Sequence, residues 1–218
     1  MKLDNFHRSS ASSRVRIALA LKGLSAETVT INLRRGEQRG EAFLARAPSG
    51  LVPNLQNGST ALGQSLAIIQ YLDDLYPQPR VFPSEPVARA RAWEFALTIA
   101  CDIHPLNNLR VLQFLEREIG ADDAQRAKWY THWVTAGFET FEALLAHHAG
   151  RGPFCLGAEL SIADICLVPQ VTNARRFDVS LGRFPRIVTI DAHCRSLRAF
   201  IAADVPTADD PAPSEAPR

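Results

Sequence analysis

Serines and arginines are concentrated in one short segment near the start of the chain, Arg8-Ser9-Ser10-Ala11-Ser12-Ser13-Arg14. The segment lies between a predicted strand and a predicted helix, so it is expected to form the N-terminus of that helix. A helix N-terminus presents unpaired NH groups and a partial positive charge, and serine hydroxyls add further donors. Such a turn can bind an anion or lower the pKa of a thiol.

A serine at this place has an ordinary alternative role as the N-cap of the helix. For any single serine the capping role is the stronger interpretation, but four serines within five residues, flanked by Arg8 and Arg14, favour a binding site. The segment contains no cysteine, so we infer that a thiolate used here comes from a bound small molecule. Glutathione is compatible with that description.

The elements around this segment alternate between strand and helix. Residues 2–6 are predicted to form a strand, and the helix formers at 15–22 end at Gly23, which is typical of a helix C-terminus. Alternating apolar and polar residues at 28–33 predict a second strand, which completes a βαβ unit.

A hairpin and a helix are predicted to follow. Residues 51–55 and 59–62 flank Asn57-Gly58, a strong hairpin signal, so they are expected to pair antiparallel. Ser65 can cap a helix that places apolar residues on one side: Leu66, Ile69, Leu72 and Leu75. The order βαβ then ββα is that of a thioredoxin-like α/β domain, which we place at residues 1–80.

The remainder of the chain is predicted to be helical. Three prolines at 79–86 indicate a linker, and helices are expected at about 86–119, 122–148, 162–175 and 185–202. This pattern predicts an all-α C-terminal helical bundle at 86–203. Residues 204–218 have almost no large apolar side chain and are predicted to be disordered.

The bulk composition limits the possible partners. The 218 residues carry a formal charge of +1 with no basic tail or long charge block, which argues against nucleic acid and membrane surfaces. No apolar run is long enough to span a bilayer and no secretion signal is apparent, so a cytoplasmic protein is expected. The four cysteines form no CxxC pair, so no metal site is predicted.

The segment from Ser9 to Gly23 resembles the signature of the zeta class of glutathione transferases, usually written SSCxxRVRIALxLKG. Matches to the same class continue at residues 51–53, 64–69, 101–110 and 162–171. The resemblance covers roughly residues 1–203. It implies the two-domain glutathione transferase architecture, glutathione as cofactor and a homodimer.

The resemblance also implies which residues bind glutathione, which this class holds like an added strand. It implies a backbone contact at Val52 beside a cis Pro53, a contact of Gln64 and Ser65 with the γ-glutamyl carboxylate, and a contact of Gln38 with the glycyl end. For Gln38 the alternative is a solvated loop at 34–40. The full predicted set is Ser9, Ser10, Ala11, Ser12, Arg14, Gln38, Val52, Pro53, Gln64, Ser65, His104, Asn108, Leu109 and Arg110.

His104 and Asn108 are four residues apart and are predicted to share a helix face, which the resemblance turns towards the cleft between the domains. The alternative for His104 is a buried core histidine. Arg110 would point away from that face on an ideal helix, and only its long side chain or a kink at Pro105 would bring it to the site.

Arg175 and Arg176 end a predicted helix, where cations commonly oppose the helix dipole. The resemblance implies that Arg176 binds a substrate carboxylate and that Arg8 and Arg110 help it to accept a dianion. The residues predicted to be catalytic are therefore Ser9, Ser10, Arg8 and Arg176. Ser161 to Asp164 is instead a capping box, which we assign to folding.

The activity implied by the resemblance is glutathione-dependent cis–trans isomerisation of a small carboxylated substrate, maleylacetoacetate or maleylpyruvate, in aromatic catabolism. Addition of the glutathione thiolate to the alkene would leave a single bond that rotates before the thiolate is expelled. One alternative is glutathione conjugation to electrophiles or dehalogenation of small halo-acids. Another is a non-catalytic binding module with the same fold.

Three features of the sequence depart from the zeta pattern. Ala11 replaces the signature cysteine, and Ser13 replaces a bulky aromatic residue. Ser49-Gly50 lacks the side-chain amides often found before Leu51, a change expected to weaken glutathione binding. With Ala11 in place, no protein thiol can be required at that position of the turn.

Overall fold

Four short strands form one sheet in the first part of the chain, in a computed structural model that describes residues 1–148 and 152–204. The strands are β1 (Lys2–Asn5), β2 (Glu27–Thr30), β3 (Asn54–Asn57) and β4 (Thr60–Gly63). Their order across the sheet is β2-β1-β3-β4, with β1 and β2 parallel and the other two pairs antiparallel. The predicted βαβ and ββα order is confirmed.

The predicted hairpin forms, but its turn lies one residue later than Asn57-Gly58. Asn57 pairs with Thr60, which leaves Gly58 and Ser59 as the two central residues. Gly58 has φ 60°, the left-handed conformation that the first central residue of a type II′ turn requires. The strand predicted from residue 51 begins only at Asn54, because Pro53 has no N–H to donate to the sheet.

Three helices accompany the sheet: α1 (Ser10–Leu21), α2 (Glu41–Leu44) and α3 (Ser65–Leu75). Helix α1 ends in a Schellman motif at Gly23, where Leu24 N–H donates to Leu19 O at 2.9 Å. The predicted cap of α3 is wrong, because Ser65 is its first residue and Gln64 occupies the N-cap position. Leu75, predicted to lie on the apolar side of this helix, is half exposed at its end.

The remaining elements are helical. They are α4 (Pro86–Leu97), a π-helix at Thr98–Ile103, α5 (Leu109–Arg117), α6 (Asp123–His148), α7 (Ile162–Arg176), α8 (Pro185–Arg195) and α9 (Arg198–Ala203). Phe95, Phe138 and Phe141 are buried, and Phe95 and Phe141 pack edge to face with ring centroids 4.9 Å apart. Helix α7 is buried along most of its length and forms the centre of this helical unit. None of the helices within the described ranges is long and apolar enough to cross a membrane.

Two of the predicted helices are interrupted. The helix expected at 86–119 passes through the π-helix and stops, and a turn at residues 104–108 separates it from α5. Pro105 cannot donate a helical hydrogen bond, and Asn108 begins the new helix as its N-cap. The helix expected at 185–202 divides into α8 and α9.

The chain forms two compact units, Met1–Pro79 with the segment that begins at Arg198, and Arg80–Leu197. Helix α9 packs against α1 with Phe200 and Ala203 buried, so it lies in the first unit. The domain limits predicted from the sequence differ, since they place residues 198–203 in the helical bundle. The tail predicted to be disordered lies outside the described residues, except for Asp204.

Candidate functional site

The serine-rich segment forms the N-terminus of α1, as predicted. Ser9 is the N-cap, and its Oγ accepts a hydrogen bond from Ser12 N–H at 3.2 Å. Ser10 is the first residue of the helix and is buried, and the first turn contains no acidic residue. Ser9 therefore fills the ordinary capping role, but its hydroxyl keeps one O–H that can donate to an anion at the helix end.

Arg14 connects this turn with the start of α3. Its side chain is buried, and its Nη1 donates to Ser65 Oγ at 3.3 Å. Ser12 is also fully buried, and its hydroxyl finds no hydrogen-bond partner among the described residues. The structure thus brings Arg14 and Ser65 together in the first unit. Arg8 in the turn and Ala11 in the first turn of α1 are half-buried.

The peptide bond between Val52 and Pro53 is cis, as the resemblance implies. The Val52 side chain is buried in a small apolar cluster with Phe6, Ile31, Phe43 and Ala47. Its backbone lies just before the first sheet pair of β3, Asp4 with Asn54. This segment is therefore held firmly by its side chain while its backbone stands outside the sheet ladder.

Gln64 precedes α3 with an unusual backbone conformation, φ 64° and ψ 112°. Few residues other than glycine adopt a positive φ, and such strain is common where a ligand is bound. The Gln64 side chain is exposed, whereas Ser65 beside it is buried. The two residues lie at the N-terminus of an 11-residue helix whose first turn contains no acidic group.

Gln38 lies in an ordered segment, so the solvated-loop alternative is wrong. It belongs to a short 3₁₀ helix, Glu37–Arg39, and is 9% exposed. Its Nε2 donates to Leu33 O at 3.3 Å, while its Oε1 has no partner in the described part of the chain. Gly50 has φ 62°, and a Cβ there would lie 3.3 Å from Gln38 O. Glycine at position 50, which departs from the zeta pattern, thus permits a close approach between its own backbone and that of Gln38.

In the helical unit, His104 and Asn108 do not share a helix face. Both lie in the turn between the π-helix and α5, because Pro105 interrupts the helix and Asn108 begins the next one as its N-cap. Asn108 Oδ1 accepts the N–H of Arg110 at 3.1 Å, which makes Asn108 a cap. His104 is half-buried, so the core-histidine alternative does not hold either. Leu109 and Arg110 are exposed in the first turn of α5.

Helix α6 holds this turn through two long-range hydrogen bonds. Trp129 Nε1 donates to Leu106 O at 2.9 Å, and Asn107 Nδ2 donates to Tyr130 O at 3.3 Å. The turn is therefore fixed from outside, although it has no regular secondary structure of its own.

The two arginines at the end of α7 have different surroundings. Arg175 Nη1 donates to Asp191 Oδ2 at 2.6 Å, and Asp191 is fully buried, so Arg175 has a structural role. Arg176 is exposed and its Nη1 donates to Asn173 Oδ1 at 3.2 Å. It lies near Tyr130, whose pKa is raised by burial, with the arginine charge acting in the opposite direction.

The capping box at α7 is present, as predicted. Asp164 accepts hydrogen bonds from the N–H groups of Ser161 and Cys155, each at 2.8 Å. Burial raises the pKa of Asp164, and these hydrogen bonds oppose the rise. The carboxyl group is enclosed and fully engaged, which agrees with its assignment to folding.

The four cysteines are free thiols. Cys101 is exposed on the π-helix, and Cys155, Cys166 and Cys194 are buried in the helical unit. Burial raises the pKa of both Cys155 and Cys194. A raised pKa keeps a thiol protonated and unreactive.

Comparison with known proteins identifies the family. Two protein-family models match: Glutathione S-transferase, N-terminal domain, over residues 3–80, and Glutathione S-transferase, C-terminal domain, over residues 127–203. A probable maleylacetoacetate isomerase of Vibrio cholerae is 47% identical over 203 residues, which are 92% of this chain and 94% of that protein. The solved holo structure of a maleylpyruvate isomerase, a bacterial zeta-class enzyme, superposes with a TM-score of 0.91 at 45% identity, covering 93% of this chain and 96% of that one. The chain belongs to the zeta class of the glutathione transferases.

A second solved structure provides evidence on the cofactor. Maleylacetoacetate isomerase from Methylobacterium extorquens, solved with malonate and glutathione, has a TM-score of 0.91 at 37% identity and covers 94% of this chain and 98% of that one. The residues of this zeta-class chain fit glutathione, because the Ser12 hydroxyl and the Gln38 amide oxygen are buried polar atoms without partners in the described ranges. The predicted family, fold class and cofactor are confirmed, whereas the roles of the individual site residues stay predictions.

Two residues near these groups were not singled out from the sequence. Tyr130 approaches Arg176 from a helix 46 residues earlier in the chain, and Trp129 holds the 104–108 turn. No local pattern reports such contacts. The role of Asn108 as a cap could have been found, since asparagine is one of the preferred N-cap residues and an apolar periodic pattern follows it.

Proposed function

We propose that the protein is a glutathione-dependent isomerase that converts maleylacetoacetate or maleylpyruvate to its trans isomer. The observation that carries the proposal is the start of α1, where Ser9 and Ser10 surround a helix N-terminus that has no cysteine and no acidic residue. Relatives at 45–47% identity carry both isomerase names. A site that favours an anion, in a family that binds glutathione, suits a bound thiolate.

Glutathione, when bound, supplies the thiolate that adds to the alkene, permits rotation about the resulting single bond and then leaves unchanged. The chain contributes the electrostatic setting. We propose that the Ser9 and Ser10 hydroxyls and the first N–H groups of α1 stabilise the negative charge on sulfur. Val52, Gln38, Gln64 and Ser65 are proposed to orient the peptide, together with the buried Arg14 that donates to Ser65.

The carboxylates of the substrate need cationic partners. We propose that Arg176 is the principal one and that Arg8 and Arg110 assist, since guanidinium groups bind carboxylates in a fixed geometry. Arg175 is excluded from this role by its ion pair with the buried Asp191. Malonate, a dicarboxylate, was found with glutathione in the Methylobacterium relative, which supports a dianion as ligand.

The decisive test follows the absorbance of maleylpyruvate and of maleylacetone with and without glutathione. We expect isomerisation only when glutathione is present. No glutathione-dependent isomerisation of either compound would reject the proposal. Retention on a glutathione resin without turnover would favour the binding-module alternative, and turnover of halo-acids alone would favour dehalogenation.

The carboxylate role has its own test in Arg176→Ala, with Arg176→Lys as the matched variant that keeps the charge. We expect Arg176→Ala to reduce kcat/KM for maleylpyruvate by at least about tenfold, because one charge-assisted hydrogen bond to the substrate is lost. Conjugation of a neutral electrophile should change little. Equal losses for both substrates would contradict the assignment.

We also propose that the protein acts in the cytoplasm as a homodimer. Its membership of the glutathione transferase family supports the dimer, and the absence of disulfides among the four described cysteines agrees with a reducing compartment. Light scattering at micromolar concentration should give twice the chain mass of 24.0 kDa, and a monomer mass would reject the dimer.

A further inference from the structure

Arg16 connects three separate parts of the first unit. Its Nη1 donates to Asn5 Oδ1 at 2.6 Å, its Nη2 to His7 O at 3.1 Å and its Nε to Ala203 O at 2.8 Å. The acceptors lie at the end of β1, in the turn that leads to α1, and in the last residue of α9. A guanidinium presents its donors in a fixed planar fork, and the rotatable donors of an ammonium group do not reproduce that geometry.

The His7 carbonyl belongs to the turn that sets the position of Ser9. Ser9 N–H donates to Phe6 O at 3.0 Å, which closes a tight turn around His7 and Arg8, and Ser13 N–H then donates to Ser9 O at 2.9 Å as the helix begins. Within so short a turn, a rotation of the His7 peptide would also move Arg8 and Ser9. The contact from Arg16 therefore acts on the backbone that carries the proposed thiolate site.

The third contact brings the end of the described chain into this arrangement. The last carbonyl groups of a helix have no partner inside the helix, and an arginine can satisfy them. Arg16 does so for α9, and the buried Phe200 and Ala203 hold that helix in the first unit. The distance along the sequence, 187 residues, means that this support exists only after α9 has docked.

We propose that Arg16 is a positioning residue for the Ser9–Ser10 turn and that α9, through Arg16, is part of the support of the thiolate site. This inference rests on the proposed use of a glutathione thiolate at that turn, and it assigns Arg16 no contact with substrate. It predicts that loosening Arg16 or α9 changes the ionisation of bound glutathione, beyond any change in stability.

The experiment records the ultraviolet absorbance of the thiolate against pH, with saturating glutathione, for the wild type and for Arg16→Met, Arg16→Lys and Phe200→Leu. Lys22→Met is the matched control. Lys22 makes a buried ion pair with Asp73, but it lies at the opposite end of α1 from the Ser9–Ser10 turn. Thermal melting of every variant is measured in parallel. Calorimetry with glutathione gives the affinity.

We expect the titration midpoint of bound glutathione to rise by about 0.5–1 pH unit in Arg16→Met. The midpoint rises because a displaced helix N-terminus stabilises the thiolate less. The midpoint should also rise in Arg16→Lys and in Phe200→Leu. In Lys22→Met the midpoint should stay unchanged, although the protein should melt at a lower temperature. Should Arg16→Met not fold, the other two variants decide the matter.

An unchanged midpoint in the folded Arg16 and Phe200 variants, or an equal rise in Lys22→Met, would overturn the inference and leave Arg16 a purely structural residue. The readout is independent of isomerisation. If the wild type binds glutathione with a lowered thiol pKa but turns over no maleyl substrate, the proposed reaction is rejected. The role of Arg16 can still be tested in that case, because the titration does not depend on turnover.

Discussion

Gln64 joins local strain to a predicted binding role. Its φ of 64° is costly for a residue with a side chain, by about 1–3 kcal/mol, and the following Ser65 begins a helix that carries part of the candidate glutathione site. The fold tolerates this cost, which is expected where the side chain is needed for binding.

Two substitutions separate the strain from the amide. Gln64→Gly relieves the strain and Gln64→Ala keeps it, while both remove the side-chain amide. We expect Gln64→Gly to be more stable than Gln64→Ala by about 1 kcal/mol in urea unfolding, after allowance for the greater freedom of glycine in the unfolded chain. Both variants should lose affinity for glutathione by a similar factor in calorimetry. Equal stability of the two would show that the backbone is not strained.

Residues whose roles depend on near neighbours in sequence were predictable. The Ser161–Asp164 capping box and the Gly23 helix end involve contacts over three to five residues, and both were found from pattern alone. The pairing of Arg175 with Asp191 and the support given by Arg16 depend on helices that meet only in the folded chain. The sequence indicates two arginines at the end of a helix, but it does not indicate which of them pairs with a carboxylate of the protein.

At the level of elements, Gly137 allows α6 to approach the π-helix closely. A Cβ at this position would clash with Cγ1 and Cδ1 of Ile103, which is fully buried and has no space to withdraw. The contact lies next to the 104–108 turn, so the small residue on α6 helps to determine where that turn is held.

Gly137→Ala should therefore destabilise the protein despite the higher helix propensity of alanine. We expect a loss of about 1–3 kcal/mol in the free energy of unfolding, the usual cost of overpacking a core. The second substitution Ile103→Ala removes the clashing atoms, so Gly137→Ala should cost less in that background. A double-mutant cycle measures the difference. A stabilising Gly137→Ala in the wild-type background would contradict the close packing.

The sheet and the segment after α2 are joined by a buried carboxylate. Asp4 on β1 accepts hydrogen bonds from Arg46 Nη2 at 3.0 Å and Arg46 Nε at 3.1 Å, and from Asn54 Nδ2 at 2.8 Å. Burial by itself raises the pKa of Asp4, but the hydrogen bonds from Arg46 and Asn54 and the arginine charge outweigh it. The pKa is lowered from its ordinary 3.8.

This shift gives stability a defined dependence on pH. A carboxyl group whose pKa is lower in the folded state stabilises the fold above its unfolded pKa of 3.8, and this contribution is lost as the pH falls through the folded value. We expect Asp4→Asn to cost about 1–3 kcal/mol near pH 7 and clearly less near pH 3, in urea unfolding of both proteins. A cost independent of pH would contradict the ion pair.

The elements themselves were largely predictable, and the exceptions have physical causes. The βαβ and ββα order followed from periodicity and from one turn signal, because those features are local. The helix at 86–119 was predicted as continuous, since its apolar pattern persists on both sides of Pro105 and hides the break. Helix α9 was separated from its true neighbours for another reason, because six residues carry too little pattern to show where they pack.

A buried ion pair joins the end of α1 to the last residues of the first unit, where the chain continues into the second. The Lys22 and Asp73 side chains are both fully buried, and Lys22 Nζ donates to Asp73 Oδ1 at 2.7 Å. The same ammonium group donates to Tyr76 O at 2.7 Å and to Pro79 O at 3.0 Å, so all three of its donors are used. The end of α1 is thereby tied to the chain that leaves the unit.

Lys22→Met should cost about 3–5 kcal/mol, because it leaves the Asp73 carboxylate buried without its cation. The double variant Lys22→Met with Asp73→Leu should recover most of that loss, since no unpaired charge remains. Thermal unfolding compares the three proteins. Limited proteolysis should also cut Lys22→Met faster at 76–80, which is exposed in the wild type. A double variant as unstable as the single one would show that the two backbone contacts matter more than the charge.

The distribution of thiols makes the chain convenient for spectroscopy. Cys101 is exposed, whereas the other three cysteines are enclosed and two of them have raised pKa values. A maleimide reagent should therefore attach a single probe under native conditions, at Cys101, which peptide mapping would verify. Because that residue lies on the π-helix just before the 104–108 turn, a fluorophore or spin label there would report on the turn in the otherwise unaltered protein.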